Sequence, residues 1–370
     1  MQSAPFTRPR AIAEIDADAL FHNFSAVSRT CGRTIAVVKA NAYGHTLTHA
    51  VPPLLAAGCD FFAVASVAEA LFLRELAPFA EILLLGYAPV GEIKALCAAR
   101  ITLTVFSLPY AKALSLAAEN AGVTPAVHLK IDTGMCRLGF CPEDIAEVLQ
   151  ALSLPHLRIC GIFTHFPEAD TDRAQTLGAL ARFCELRERL PVPLFAHAAA
   201  SAAALTLPEA RLDAVRVGIA LYGYPPLETA RPLRPAMRVV APVIQLHRVP
   251  AGTHVGYGGA FVCPRESVIG TLPLGYADGI FRTMSGFFVP VLCKKQRFTA
   301  PLVGRMCMDH CMLDLTDIPA KEGETVCVFE DFSAAARVAG SIPYELLCAV
   351  SARVPRVPAQ KEGSDVPTHP

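Results

Sequence analysis

The chain carries little charge and no surplus of either sign. Only 18% of its 370 residues are charged, with 33 Lys+Arg against 33 Asp+Glu. Such a balance gives no long-range field to attract nucleic acid or an anionic membrane. Disorder is excluded from the other side, because 53% of the residues are apolar. C-x-x-C is absent, and the thirteen cysteines are odd in number. These absences argue against a disulfide framework and a zinc ribbon. The thiols read as reduced, small core hydrophobes of a cytoplasmic protein. No signal-type apolar run opens the chain, since Glu14, Asp16 and Asp18 interrupt it. One uncharged stretch, 190–208, approaches the length of a bilayer span. Pro191 and Pro193 break it as a helix, so it reads as a buried strand running into a helix. The chain therefore reads as soluble, with neither a membrane nor a nucleic-acid partner.

What is present is alternation. Short apolar or β-branched runs recur at Ile35–Val38, Phe61–Ala65, Ile82–Leu85, Ile101–Phe106, Ala126–Ile131, Arg158–Phe163, Leu194–His197 and Ala214–Val217. Helical spacing lies between them over Val67–Leu76, Pro109–Ala121, Pro142–Leu152 and Thr171–Leu190. Strands alternating with helices predict a parallel sheet, and eight of them predict closure into a (β/α)8 barrel of TIM type. From about Arg231 the texture changes to short strand-like runs among prolines, with Met237–Gln245, Ser267–Leu272, Phe288–Leu292 and Glu324–Phe329 as examples. The expected organisation is an α/β barrel over 10–230, a smaller mainly β domain over 231–358, and a disordered tail over 359–370.

Barrel chemistry gathers at the carboxyl ends of the strands. The first predicted strand ends at Lys39, the fifth passes through Lys130 towards Arg137, the sixth ends at Thr164-His165, the seventh at His197, and the eighth carries Arg216. A lysine closing an apolar strand is partly desolvated, which favours its neutral, nucleophilic amine. It equally suits a lysine snorkelling at a strand end. Tyr43 lies four residues on, either bonding an anion or packing. Loops after the last two strands of such barrels often bind phosphate. Here they hold Ser201, a natural N-cap, and Gly218-Ile219, where glycine lets backbone approach an anion. A lysine facing a phosphate site suits a phosphorylated aldehyde held as a Schiff base, and pyridoxal 5'-phosphate is the candidate. Arg216 suits its ring nitrogen, or pairs with a carboxylate such as Asp213. Glu69 and Arg74 read as solvated helix positions, and Cys307 and Cys311 as core. No metal ligand set is read.

Val37-Val38-Lys39-Ala40-Asn41-Ala42-Tyr43-Gly44-His45 resembles the cofactor-lysine signature of the alanine racemases, which are fold-type III pyridoxal phosphate enzymes. Further similar segments follow in order: His128 to Gly139, Thr164-His165-Phe166, Arg216 to Gly223, Val255-Gly256-Tyr257-Gly258, Gly275-Tyr276-Ala277-Asp278-Gly279 and Gly304 to Asp309. They span nearly the whole chain. The resemblance implies interconversion of L- and D-alanine, supplying D-alanine for peptidoglycan. Lys39 is then the cofactor lysine and one base, and Tyr257 the second base, contributed by the partner of a homodimer. An ordinary phenol holds its proton to about pH 10, and the resemblance places His165 beside Tyr257, linked onward to Arg216. It also implies Arg137 and the backbone of Met308 at the substrate carboxylate, and Tyr276 at the substrate entrance. Tyr43, Ser201, Gly218 and Ile219 are implied at the phosphate. Lys130 is implied as a carbamate orienting Arg137, with His197 and Asp309 in support.

Three positions depart from the family pattern. Thr46 stands where glycine is usual, Ala200 replaces the usual asparagine before Ser201, and Ala352 replaces a tyrosine that bonds the phosphate and narrows the entrance. One hydrogen bond lost to a charged acceptor is worth roughly 1.5–3 kcal/mol, so weaker cofactor retention and readier acceptance of serine are expected. The rivals are a fold-type III decarboxylase, which carries a glutamate where Arg216 stands, and a barrel cofactor-carrier protein, which has no β domain. A third is a metal-dependent amidohydrolase, whose H-x-H after the first strand is missing here.

Overall fold

A computed structural model describes residues 9–227, 232–293 and 296–359. The chain divides into two compact units. One comprises Asp18–Ala42 with Ala50–Arg234, and the other Met1–Ala17, Tyr43–His49 and Pro235–Pro370, each where described. Among the described residues no helix is long and apolar enough to cross a membrane.

Before the first unit comes strand β1 (Ile12–Ile15). The unit itself contains β2 (Thr34–Val37), β3 (Phe61–Val64), β4 (Glu81–Leu84), β5 (Thr102–Val105), β6 (Ala126–Lys130), β7 (Arg158–Phe163), β8 (Phe195–His197) and β9 (Val215–Val217). These form one parallel sheet in the order β8-β7-β6-β5-β4-β3-β2-β9. An isolated parallel bridge between His197 and Ala214 joins its two ends into a ring. All eight strands coincide with the apolar runs of the sequence to within a residue or so at each end. The reason is burial on both faces, which makes strands of parallel sheets read as continuous apolar segments. In β2 and β3 every residue is buried.

The intervening helices obey their local signals. Ser66 caps Val67–Leu76 in a capping box with Glu69. Ser107 caps Leu108–Ala121, Pro109 sits in its first turn, and Gly122 ends it in the left-handed region. Arg74 is not a solvated position. Its guanidinium donates to the carbonyls of Ala77, Pro78, Ala80, Ala99 and Arg100, fastening the helix end to two loops. The apolar stretch 190–208 is strand β8 followed by the short helix Ser201–Thr206.

The second unit is mainly β. Its strands are β10 (Met237–Pro242), β11 (Gln245–Val249), β12 (His254–Val255), β13 (Phe261–Val262), β14 (Ser267–Leu272), β15 (Phe288–Cys293), β16 (Gln296–Val303), β17 (Cys311–Asp314), β18 (Thr325–Phe329) and β19 (Arg356–Pro358). Nine strands make one sheet in the order β11-β14-β17-β16-β15-β18-β10-β1-β19, and β12 and β13 form a separate ribbon. The expected boundary at residue 10 is corrected here. Ile12–Ile15 pairs antiparallel with Met237–Pro242 and parallel with Arg356–Pro358, so it belongs to the β unit and not to the barrel. That pairing joins residues far apart in sequence, which no local pattern encodes. Of the tail expected over 359–370, all but Ala359 lies outside the described residues, as does Arg231 at the expected domain boundary.

Candidate active site

The residues leaving β2 take an uncommon path. Ala40, Asn41, Ala42 and Tyr43 all have φ between 51° and 56°, a left-handed run with no glycine in it. Such a conformation costs roughly 1–2 kcal/mol per residue for L-amino acids. Four in succession persist only where surrounding contacts over-determine them, as happens at functional sites. Lys39 stands at the head of this run and is partly exposed.

Arg216, on β9, is the hub of the barrel mouth. Its Nη1 donates to His197 Nδ1 at 2.8 Å and to the His197 carbonyl at 2.9 Å. Its Nη2 donates to the carbonyls of Thr164 (2.6 Å) and Ala198 (2.9 Å), and lies 3.4 Å from His165 Nδ1. The alternative pairing with Asp213 is not realised, because that carboxylate accepts from the Ala196 N–H instead. His197 is wholly buried, and its Nε2 lies 2.9 Å from His128 Nδ1. A guanidinium can only donate, so His197 Nδ1 accepts, its Nε2 carries the proton, and His128 Nδ1 accepts in turn. Arg216 therefore sets the tautomers of two histidines. Burial, reinforced by Arg216 and then Arg158, pushes His128 down to about 4. His165 and His197 are likewise held well below the usual imidazole range, chiefly by burial and next by Arg216. All three are neutral at pH 7. Burial and then Arg137 lower Arg216 to about 9, and it remains charged.

Lys130, at the end of β6, is buried under the same mouth. Its Nζ donates to the Ile131 carbonyl at 3.3 Å and lies 5.5 Å from the centroid of the Phe163 ring. Burial first and Arg216 second pull its proton affinity down to about 8, with Asp132 opposing and Arg137 adding to the fall. Arg137 is exposed, in a loop organised by Asp132. That carboxylate accepts from the backbone N–H groups of Gly134, Met135 and Arg137 at 2.8–2.9 Å.

Ser201 corrects an expectation. The N-cap of Ser201–Thr206 is Ala200, which offers no side-chain oxygen, and Ser201 is the first helical residue. Its Oγ instead accepts from the backbone N–H of Gly218 (3.1 Å) and of Ala220 (3.4 Å). The hydroxyl thus occupies a cradle of amides at the turn Ile219–Tyr222. Of the charged groups that depress His165, namely Arg216, Lys130, Arg137 and Lys39, every one is a cation. Backbone amides that converge on the Ser201 hydroxyl, and four cations whose charge reaches His165, suit a multiply charged anion such as a phosphate ester.

The residues expected from the second unit stand on short turns. Tyr257 opens the turn between β12 and β13, is 70% exposed, and is flanked by Gly256 (φ 73°) and Gly258 (φ 68°). Only glycine adopts such angles freely. Tyr276 is 44% exposed, and its N–H donates to the Cys307 carbonyl, while the Ala277 N–H donates to that of Met308. A side chain at Gly275 would collide with both carbonyls. Beneath these turns the buried Asp278 accepts from Arg10 at 3.0 Å and from the Gly275 N–H at 2.9 Å, and Arg353 pairs with both Asp278 (3.4 Å) and Asp309 (2.6 Å). Asp309 therefore ties the Met308 segment to Arg353. Tyr43 is buried, with its ring 6.1 Å from that of Tyr344, and burial raises its phenol further above the usual range.

A family model described as alanine racemase, N-terminal domain, matches residues 15–226, and one described as alanine racemase, C-terminal domain, matches residues 236–358. The chain belongs to the alanine racemase family. It is 39% identical over 367 residues to alanine racemase 1 of Clostridium acetobutylicum, which covers 93% of this chain and 94% of that one. With the alanine racemase of Desulfovibrio desulfuricans it shares 41% identity over 369 residues, 95% of this chain and 98% of the relative. The solved alanine racemase of Bacillus anthracis with bound L-Ala-P has a TM-score of 0.86 at 31% identity, covering 98% of this chain and 97% of that one.

Against the family pattern, Thr46 adopts φ 68°, a left-handed angle that a β-branched residue takes at a cost. Its hydroxyl lies 2.8 Å from His49 Nδ1. Ala352 is exposed on the turn before β19. Sequence reading placed His128 in a family-like segment but gave it no role. Its signal was the two-residue spacing to Lys130 on β6, which puts both on one face of the strand. Gly161 makes the room, because a side chain there would strike the His128 ring.

Proposed function

We propose that the chain is a pyridoxal phosphate-dependent racemase that interconverts L- and D-alanine and supplies the D isomer for peptidoglycan. It works in the cytoplasm as a homodimer. The observation that carries this reading is the set of strand ends: a lysine on a strained left-handed run after one strand, backbone amides converging on Ser201 after another, and cations whose charge acts on His165. Pyridoxal phosphate, when bound, supplies a ring that withdraws electrons from the Cα–H bond of an attached amino acid.

Lys39 is assigned as the anchor and as one proton carrier. Inverting a carbon centre takes a second carrier on the opposite face, and Tyr257 of the other subunit is assigned that task, with the neutral His165 as its helper. Ser201, Gly218 and Ile219, with Tyr43, would hold the phosphate. Arg216 would donate to the ring nitrogen without surrendering its proton, which would favour simple removal and return of the substrate proton. Arg137 and the Met308 backbone hold the substrate carboxylate, and Tyr276 borders the entrance. The lowered proton affinity of Lys130 leaves it a substantial neutral fraction, the form that carbon dioxide converts to a carbamate. His197 and Asp309 support Arg216 and Met308.

Two rivals fit less well. A decarboxylase of this fold type has a glutamate where Arg216 stands. In an amidohydrolase His197 would bind metal, yet both its ring nitrogens are engaged. A broader specificity that includes serine is favoured by the small, exposed Ala352, and Ala352→Tyr is expected to raise the preference for alanine over serine. The main test mixes two inactive variants, Lys39→Ala and Tyr257→Phe, after subunit exchange. A shared site predicts recovered racemisation, because each hybrid dimer regains one intact Lys39–Tyr257 pair. No recovery in demonstrated hybrids overturns the shared site.

A further inference from the structure

Glu69 looks from the sequence like a solvated helix position, and it accepts more hydrogen bonds than a cap requires. Its Oε2 accepts from the backbone N–H of Ala65 (3.1 Å) and of Ser66 (3.2 Å), and its own N–H donates to Ser66 Oγ at 3.3 Å. Those bonds complete the capping box of Val67–Leu76. The other oxygen, Oε1, reaches a different segment and accepts from the backbone N–H of Asn41 at 3.0 Å. Asn41 lies inside the left-handed run, two residues beyond Lys39.

We infer that Glu69 is a positioning residue for Lys39. Its carboxylate ties the strained turn to the start of the neighbouring helix and so fixes the direction of the lysine amine. Three considerations support the assignment. The run Ala40–Tyr43 contains no glycine, and Asn41 is its one residue with a tolerance for positive φ; Ala40, Ala42 and Tyr43 take that angle at a cost that outside contacts have to offset. Asn41 is exposed, so water stands ready to replace the restraint once it is removed. A carboxylate is the side chain suited to the task, because both its oxygens accept and neither donates. A glutamine there would turn an NH2 towards either Asn41 or the cap. The inference rests on reading Lys39 as the cofactor lysine.

The test compares Glu69→Ala, Glu69→Gln and Ser66→Ala in the full-length holoenzyme. Ser66→Ala weakens the same helix cap and leaves the bond from Asn41 to Glu69 in place, so it controls for a merely structural effect. Four readouts apply: amide hydrogen exchange across residues 39–46, the rate of borohydride-sensitive chromophore formation on Lys39 after cofactor is added back, kcat against KM, and the thermal midpoint. Both Glu69 variants are expected to speed exchange at Asn41 and to slow chromophore formation by about tenfold or more, the scale of one lost charge-assisted hydrogen bond. The loss is expected in kcat more than in KM. Ser66→Ala is expected to lower the thermal midpoint alone. The inference is overturned if the Glu69 variants match Ser66→Ala in exchange and in chromophore formation. Should Glu69→Ala fail to fold, Glu69→Gln decides by the same comparison. A wild type with no reducible chromophore on Lys39 overturns the cofactor reading instead, and exchange at Asn41 then still decides whether Glu69 restrains the turn.

Discussion

The two units carry their ionisable groups in opposite ways. In the barrel, Arg216, His197, His128 and Lys130 are buried and bonded to one another or to backbone carbonyls. In the β unit, Tyr257, Tyr276 and Met308 stand at 70%, 44% and 54% exposure on short turns. The barrel therefore sets its own protonation states, through burial and a guanidinium that dictates tautomers. The exposed turns are held in place by backbone bonds and by the ion cluster of Arg10, Asp278, Asp309 and Arg353. Tyr257 lies open to solvent, whereas Arg216 is fixed by its buried partners.

The sharpest way to break this contrast is a pair of substitutions. Tyr257→Phe is expected to lower kcat by about 10²–10⁴-fold, the range for loss of a general acid–base group, in steady-state racemisation assays. The folding stability of that variant is expected to change by no more than about 0.5 kcal/mol, because the side chain is exposed. Arg216→Lys should behave oppositely in stability. It leaves buried carbonyls short of donors, and chemical denaturation is expected to show a loss of about 3–5 kcal/mol.

Acid comes next. His128 is protonated near pH 6.5 in the unfolded chain and only near 4 in the folded one, so the unfolded state takes up the proton first. Its contribution is whole above pH 6.5 and is lost as the pH falls towards 4, about 3 kcal/mol over that window. His165 and His197 shift in the same direction. Denaturation midpoints followed between pH 7 and 4 should fall steeply, and Tyr257→Phe should leave that slope untouched.

Lys130 gives the alkaline counterpart. Its depressed proton affinity means that charge is costly in the fold, fully so below about 8, with relief as the pH rises towards 10.5. In buffer freed of carbon dioxide, where Lys130 is an unmodified amine, Lys130→Met is expected to stabilise the fold by about 1–3 kcal/mol at pH 7, with the gain shrinking above pH 8. A stability gap that stays constant with pH would refute the desolvation account. The smallest effect is expected at Ala200, an uncapped helix start. Ala200→Asn should raise stability by about 1 kcal/mol, readable as a shift in thermal midpoint.

Much of this architecture is legible in the sequence, for a physical reason. Strands buried on both faces must be apolar throughout, so β2 to β9 stand out as runs whatever their neighbours. The ends of those runs place Lys39, Lys130, His165, His197 and Arg216 at the mouth. What was not legible depends on pairings distant in the chain. Ile12–Ile15 is interrupted by Glu14 and gives no strand signal of its own; only β10 and β19 beside it make it a strand. The capping role of Glu69 is written in the Ser66-x-x-Glu69 spacing, yet its bond to Asn41 is written nowhere. Ser201 is a good N-cap by type, and the backbone starts its helix one residue earlier because the hydroxyl is engaged at Gly218.

The place of β1 has a consequence for how the molecule is made. Ile12–Ile15 leaves the ribosome before any of the barrel, yet both of its partners, Met237–Pro242 and Arg356–Pro358, emerge after it. Domains fold as units during synthesis, those nearer the amino terminus first. The barrel can thus close while this early strand is still waiting, and the β sheet is completed only with nearly the last described residues. Throughout that interval a strand edge is open to any neighbouring chain.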